Sequence, residues 1–136
     1  MTFGKLRRCL GSNIKSDVYE IYRYCTNFSV PGGASKLLEY FKRIYNPVKI
    51  ISYADRRWSV GKLYTTLKFK LLTKTKPNYW YTKDYIKRYH RYNFAKHTLS
   101  KKLDNFDSNL SGWENMKNNG YDRIWDCGHL KYEWKA

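Results

Sequence analysis

Ser29-Val30-Pro31-Gly32-Gly33-Ala34-Ser35-Lys36-Leu37-Leu38 opens the stretch that decides the fold, which continues to Phe69. A glycine turn passes directly into a run with Ala34, Leu37, Leu38, Phe41 and Ile44 at helical spacing and Lys36, Glu39, Lys42 and Arg43 on the other side. That is the pattern of a helix buried on one face. Pro47 ends it, because a proline pushes the residue before it out of the helical region. Residues 48–54, with Val48, Ile50, Ile51, Tyr53 and Ala54, read as a largely buried strand. Asp55 falls where that strand gives way to the basic loop Arg56-Arg57-Trp58, and Ser59 caps a short second helix carrying Leu63, Tyr64 and Leu67. Turn, helix, strand and helix make an α/β unit with an anion-receptive helix start.

Working outward, 136 residues suffice for one domain. It is read as a core over 1–73, a basic aromatic hairpin and helix over 74–103, and a helix and hairpin over 104–136. The formal charge of +16 comes from 27 Lys and Arg against 11 Asp and Glu. Residues 70–103 carry ten basic residues and one acidic, the densest run, whereas 104–136 carry four and six. Such an excess predicts a polyanionic partner, nucleic acid above all. Fourteen Tyr and five Trp among the charges favour nucleic acid over an anionic membrane, since flat rings stack on bases. No apolar run approaches the ~18 residues of a membrane span and no signal peptide is visible, which predicts a cytoplasmic protein without a membrane partner. Cys9, Cys25 and Cys127 form no C-x-x-C pair, and His90, His97 and His129 lack ligand spacing, so no disulfide framework and no metal site are expected.

The remaining elements follow from local signals. Residues 1–5 read as a strand, 6–16 as a basic connection, and 17–25 as a second strand in which Arg23 must reach solvent or meet Asp55 or Glu20. An exposed edge at 1–5 invites a homodimer or a partner chain that completes the sheet. A short strand over 69–73 precedes the turn around Lys74, Lys76 and Pro77. Tyr79-Trp80-Tyr81 and 86–94 read as the arms of a hairpin, with Lys87, Arg88 and Arg91 set among aromatic rings. A basic helix over 95–103 includes Lys96. Ser111-Gly112-Trp113-Glu114 has capping-box spacing for a helix stopped by Gly120, and 121–134 read as a closing hairpin turning at 126–129. The best nucleic-acid-facing set is Arg56, Arg57, Trp58, Lys74, Lys76, Tyr79, Trp80, Lys87, Arg88, Arg91 and Lys96, cations for phosphates with rings between them.

With these pieces placed, the chain resembles the Gcn5-related N-acetyltransferase (GNAT) fold. In that family a strand runs into an R/Q-x-x-G-x-G/A turn whose N–H groups hold the coenzyme A pyrophosphate. Ser29-Val30-Pro31-Gly32-Gly33-Ala34 is similar to it, with Ser29 in place of Arg or Gln, and Tyr64-Thr65-Thr66-Leu67-Lys68-Phe69 is similar to a later Y-x-x-x-G-F element, with Lys68 in place of Gly. The wider resemblance is to the C-terminal region of phage homing endonucleases and mobile-element proteins, through elements such as Ser52-Tyr53-Ala54-Asp55-Arg56-Arg57-Trp58-Ser59 and Pro77-Asn78-Tyr79-Trp80-Tyr81. Ser52-Tyr53-Ala54-Asp55 with Gly61 and Tyr64 is also similar to the Mom family of phage DNA-modification proteins.

These resemblances imply an α/β (α+β) class: a mixed, mostly antiparallel central sheet with flanking helices, truncated at its N-terminal side, plus a C-terminal hairpin. They imply acetyl-CoA or another acyl-CoA at Val30, Gly32, Gly33, Ala34, Ser35 and Lys36. They also imply an active centre of Arg23, Ser52, Asp55 and Tyr64, in which Asp55 orients a group or accepts a proton and Tyr64 supplies one to a leaving thiolate. The leading expectation is a phage-type module that binds duplex DNA and is no nuclease on its own. The alternatives are an acyl-CoA-dependent N-acetyltransferase or Mom-like base-modifying enzyme, and a phage effector that captures a host protein through its aromatic surface.

Overall fold

The computed structural model describes residues 1–7 and 17–136, so most of the 6–16 connection, with Cys9, lies outside the described residues. Two compact units emerge where length suggested one domain: 1–76 with 128–136, and 77–127. Helices and mixed sheets give the expected α+β class.

The larger unit is built on strands β1 (Thr2–Lys5), β2 (Val18–Arg23), β3 (Lys49–Asp55), β4 (Lys70–Lys74) and, from the chain end, β8 (His129–Lys135). Their order is β1-β2-β3-β8-β4, with β2 and β3 parallel and all other neighbours antiparallel. The parallel pair needs a crossover, and helix α1 (Gly33–Tyr45) supplies it. Strand alternation sends Ile50, Ser52 and Ala54 toward the core, opposite Leu130, Tyr132 and Trp134 of β8. Ile51, Tyr53 and Asp55 therefore project from the other face.

Helix α1 meets this core through Ala34, Leu38 and Phe41. Phe41 stacks on Phe3 at 3.8 Å and takes the edge of Tyr19 at 5.1 Å. Two predicted core residues face outward instead: Leu37 is 44% and Ile44 53% exposed. A single stripe at 34, 38 and 41 fills the space beneath the helix, so neighbours at 37 and 44 lie beyond its edge. The short helix α2 (Lys62–Thr66) begins after Gly61, whose φ of 81° and contact with the Tyr132 ring admit no side chain.

The smaller unit carries a three-stranded sheet of β6 (Tyr89–His90), β5 (Tyr79–Thr82) and β7 (Asp122–Trp125). Short helices α3 (Lys96–Leu99) and α4 (Gly112–Asn118) contribute Leu99 and Met116 to its core beside Tyr81 and Leu103. The capping box of α4 forms as predicted between Ser111 and Glu114.

Two hairpins differ from expectation. The second arm, read over 86–94, keeps only Tyr89–His90 as strand before a 3-10 turn at Arg91–Phe94. The Asp84 carboxylate takes the N–H groups of Ile86 and Lys87, so local bonds replace the ladder there. The closing hairpin does not pair with itself: β7 joins β5 in the smaller unit, while β8 inserts between β3 and β4 in the larger. Leu130 and Tyr132 complete the larger core from that central position, and that burial outweighs the local turn.

Candidate functional sites

The start of α1 is set by a turn. Pro31 and Gly32 occupy its centre, Gly33 N–H donates to the Val30 carbonyl at 3.1 Å, and Gly32 has φ 71° and ψ −5°. That is a type II turn, which requires the positive φ a glycine supplies. Gly32 offers no side-chain cap and the first helical turn holds no acidic residue. Among the described residues no acceptor takes the N–H groups of Ala34 and Ser35. Donors and helix dipole thus face a cleft of about 400 Å³ lined by Tyr24, Ser29, Gly32, Ser35, Lys62 and Thr66, with Val30 and Ala34 also on its wall. Four of the six predicted cofactor residues line this cleft. Gly33 instead packs against Val30 beneath the turn, and Lys36 lies beside Glu39, Tyr40 and Arg43 in a different hollow. Lys62, which sequence reasoning missed, could have been found as the cation opening the second helix.

The predicted active centre is only half assembled. Pairing of β2 with β3 ends at Ile21 and Ser52, although β2 runs on to Arg23 and β3 to Asp55. There the buried Ser52 Oγ lies 3.0 Å from the Ile21 carbonyl oxygen and 2.8 Å from Tyr64 Oη. The carbonyl only accepts and serine has one proton, so Ser52 donates to Ile21 and the Tyr64 phenol donates to Ser52. Tyr64 is held flat against the Tyr132 ring, 4.9 Å away.

Asp55 does not join this pair, because residues three apart on a strand face opposite sides of the sheet. It takes Arg57 N–H at 2.9 Å and the guanidinium Nη2 at 2.6 Å. The Arg57 side-chain bond holds its carboxyl below the usual range and leaves it a poor base. Arg23 sits exposed at the end of β2, opposite Thr2, so of its two predicted fates solvent exposure is the one seen.

The Asp55–Arg57 clamp also fixes the loop that follows. Trp58 and Ser59 N–H donate to the Asp55 carbonyl, and Arg56 N–H to that of Gly128. This ordered loop presents Trp58 at 85% and Val60 at 86% exposure. Lys74 and Lys76 are exposed in the same unit. In the smaller unit Lys87, Arg88, Arg91 and Lys96 are exposed, and Arg91 lies 5.9 Å from the Tyr79 ring centroid. Tyr79 and Trp80 leave β5 on opposite faces, so these two rings do not share a surface. Arg123 and Trp125 gather beside Tyr79, and Trp113 lies against Arg123. Their distance in sequence hid them, although the pattern of Asp122-Arg123-Ile124-Trp125 could have marked a cation on an inner face.

The charge divides unequally between the units. The larger holds 18 Lys and Arg against 5 Asp and Glu, the smaller 9 against 6. Four of the larger unit's five carboxylates form ion pairs within it: Glu20 with Arg7, Glu39 with Lys42 at 2.7 Å, Asp55 with Arg57, and Glu133 with Lys49 at 2.8 Å and Lys135 at 3.0 Å. Burial works to raise the Glu133 carboxyl, but its bonds from Lys49 and Lys135 hold it below the usual value. Among the described residues no cluster of three or more His, Cys, Asp or Glu converges, and no helix is long and apolar enough to cross a membrane. No family model and no curated protein matches the chain.

Proposed function

We propose that this chain is a GNAT-like module that binds duplex DNA through the cationic surface of its larger unit. One observation carries the reading: the larger unit holds 18 basic residues against 5 acidic ones, and four of those five acids are already engaged with cations of the same unit. Among the described residues Lys36, Arg43, Lys62, Lys68, Lys70, Lys74 and Lys76 stay on the surface, where binding of phosphates would release counterions. The ordered loop with exposed Trp58 between Arg57 and Ser59 adds a ring that can stack on a base or fill a groove. Titration of a fluorescent duplex at several salt concentrations tests it. Each phosphate contact contributes a log–log slope of roughly −0.9, and a complex indifferent to salt refutes the reading.

A second reading is favoured by the cleft at α1. A pyrophosphate fits the open N–H groups of Ala34 and Ser35 with Lys62 opposite, which suits an acyl-CoA donor. When bound, such a donor supplies the acyl group that an amine nitrogen attacks, and the departing thiolate needs a proton. Tyr64 is the donor on this chain; Ser52, rotating from the Ile21 carbonyl, can return a hydrogen bond to the phenolate, and the proton shed by the amine nitrogen restores the phenol. Asp55 plays no part in this version. Calorimetric titration with acetyl-CoA, with ATP at equal concentration as a control for general phosphate attraction, separates this reading from the first.

A further inference from the structure

We propose that the smaller unit holds a phosphate site centred on the guanidinium of Arg123. Strand β7 sets Arg123 directly opposite Tyr81 of β5, so its side chain leaves the sheet on the face that builds the unit's core. A cation in that position is costly unless paired. Yet no carboxylate forms an ion pair with it among the described residues. The guanidinium carbon instead lies 4.1 Å from the Trp113 ring centroid, 4.3 Å from that of Tyr79 and 5.7 Å from that of Tyr81. Rings hold the cation in place and leave its charge uncancelled.

Its Nε–H is buried and meets no acceptor. The buried edge of the fork is thus unsatisfied within the fold, and an anion would accept from the edge that the half-buried side chain leaves open. The Tyr81 hydroxyl accepts a hydrogen bond from the Arg123 guanidinium and has that of Tyr79 beside it; burial pushes the Tyr81 phenol up, so it stays neutral and cancels none of the cation's charge. Arg123, Tyr79 and Trp113 are each only half-buried, which leaves the group open to solvent.

The surroundings narrow the ligand class. Arg91, exposed, is held 5.9 Å from the same Tyr79 ring. Two guanidiniums at one ring favour a doubly charged phosphate over a single carboxylate. Trp125, 53% exposed and 4.9 Å from the Tyr79 ring, offers a flat face for a base. A nucleoside phosphate, free or at the end of a strand, matches this set. The site stands whether or not the chain binds duplex DNA.

Calorimetric titration of the full chain with inorganic phosphate and with thymidine 5′-monophosphate, at constant ionic strength, tests it. Both should bind saturably at one site, the nucleotide more tightly. Arg123→Lys keeps the charge but loses the fork and should weaken binding at least tenfold; Tyr81→Phe keeps the ring and should weaken it severalfold with an unchanged circular dichroism spectrum. Should Arg123→Lys fail to fold, Tyr81→Phe and Arg91→Gln carry the comparison. Displacement of the nucleotide by a 5′-phosphorylated hexanucleotide, and not by its unphosphorylated twin, would assign the site to strand ends; no displacement by either would assign it to free nucleotides. No saturable binding by the wild-type chain, or equal binding by the variants, overturns the proposal.

Discussion

Ser35→Asp should strengthen the fold and destroy anion binding at the same time. Ser35 is the third residue of α1, a helix whose first turn has no acidic side chain and whose N-cap has no side-chain bond. A carboxylate there meets unoccupied N–H groups and the positive end of the dipole, worth about 0.3–1 kcal/mol. In a chain of this size that raises the melting temperature by roughly 1–3 °C. A pyrophosphate seated on the same N–H groups would meet that carboxylate at close range. Two unit charges ~4 Å apart at a protein surface repel by about 4 kcal/mol before salt screening. Allowing for screening, acetyl-CoA affinity should fall on the order of a hundredfold, since each 1.4 kcal/mol is about tenfold. Thermal melts and calorimetry on one preparation read both effects, and DNA affinity should barely change. A destabilised variant would refute the account of the helix start, and a stabilised one that binds acetyl-CoA as well as wild type would remove the ligand from this cleft.

Three further outcomes follow from the larger unit. Ser52→Ala leaves the buried Ile21 carbonyl and the Tyr64 hydroxyl without their partner, and chemical denaturation should show a loss of about 1–3 kcal/mol, more than Tyr64→Phe, which leaves the Ser52–Ile21 bond intact; the reverse order would contradict the bond assignment. Leu38→Ala, at 1% exposure beneath α1, should cost about 3–5 kcal/mol by the same measurement, and Leu37→Ala under 1 kcal/mol. Asp55 and Glu133 are both held below their ordinary values in the folded state, so the unfolded chain takes up protons first on acidification. Their stabilisation is complete above the ordinary carboxylate values of about 4 and is lost as the pH falls through the lower folded values; urea midpoints between pH 6 and 2 should drop, less so in Arg57→Gln, and a flat profile would contradict the assigned bonds.

Elements governed by neighbours in sequence were legible without coordinates. The glycine turn, α1, β3 and the Ser111–Glu114 capping box all lie near their predicted places. What escaped depends on partners far apart in the chain. Nothing local says that β8 runs between β3 and β4 while β7 leaves it for β5. The same distance concealed Arg123, whose surroundings come from β5, β7 and α4. Asp55 is a different case. Its separation from Ser52 follows from the period of two along β3, and the resemblance that grouped them overrode a rule the residues already obeyed. Leu37 and Ile44 show the limit of periodicity, which gives an apolar arc but not how much of it the sheet covers.

The most direct test of the central claim is the affinity for one duplex measured from low to physiological salt, for the wild-type chain and for Arg56→Gln. Binding through the larger unit's surplus of cations predicts a steep log–log decline, with the slope reduced by about one in the variant for each phosphate contact removed. A slope near zero, or a variant identical to wild type in both slope and affinity, would contradict DNA binding through the Arg56–Trp58 loop.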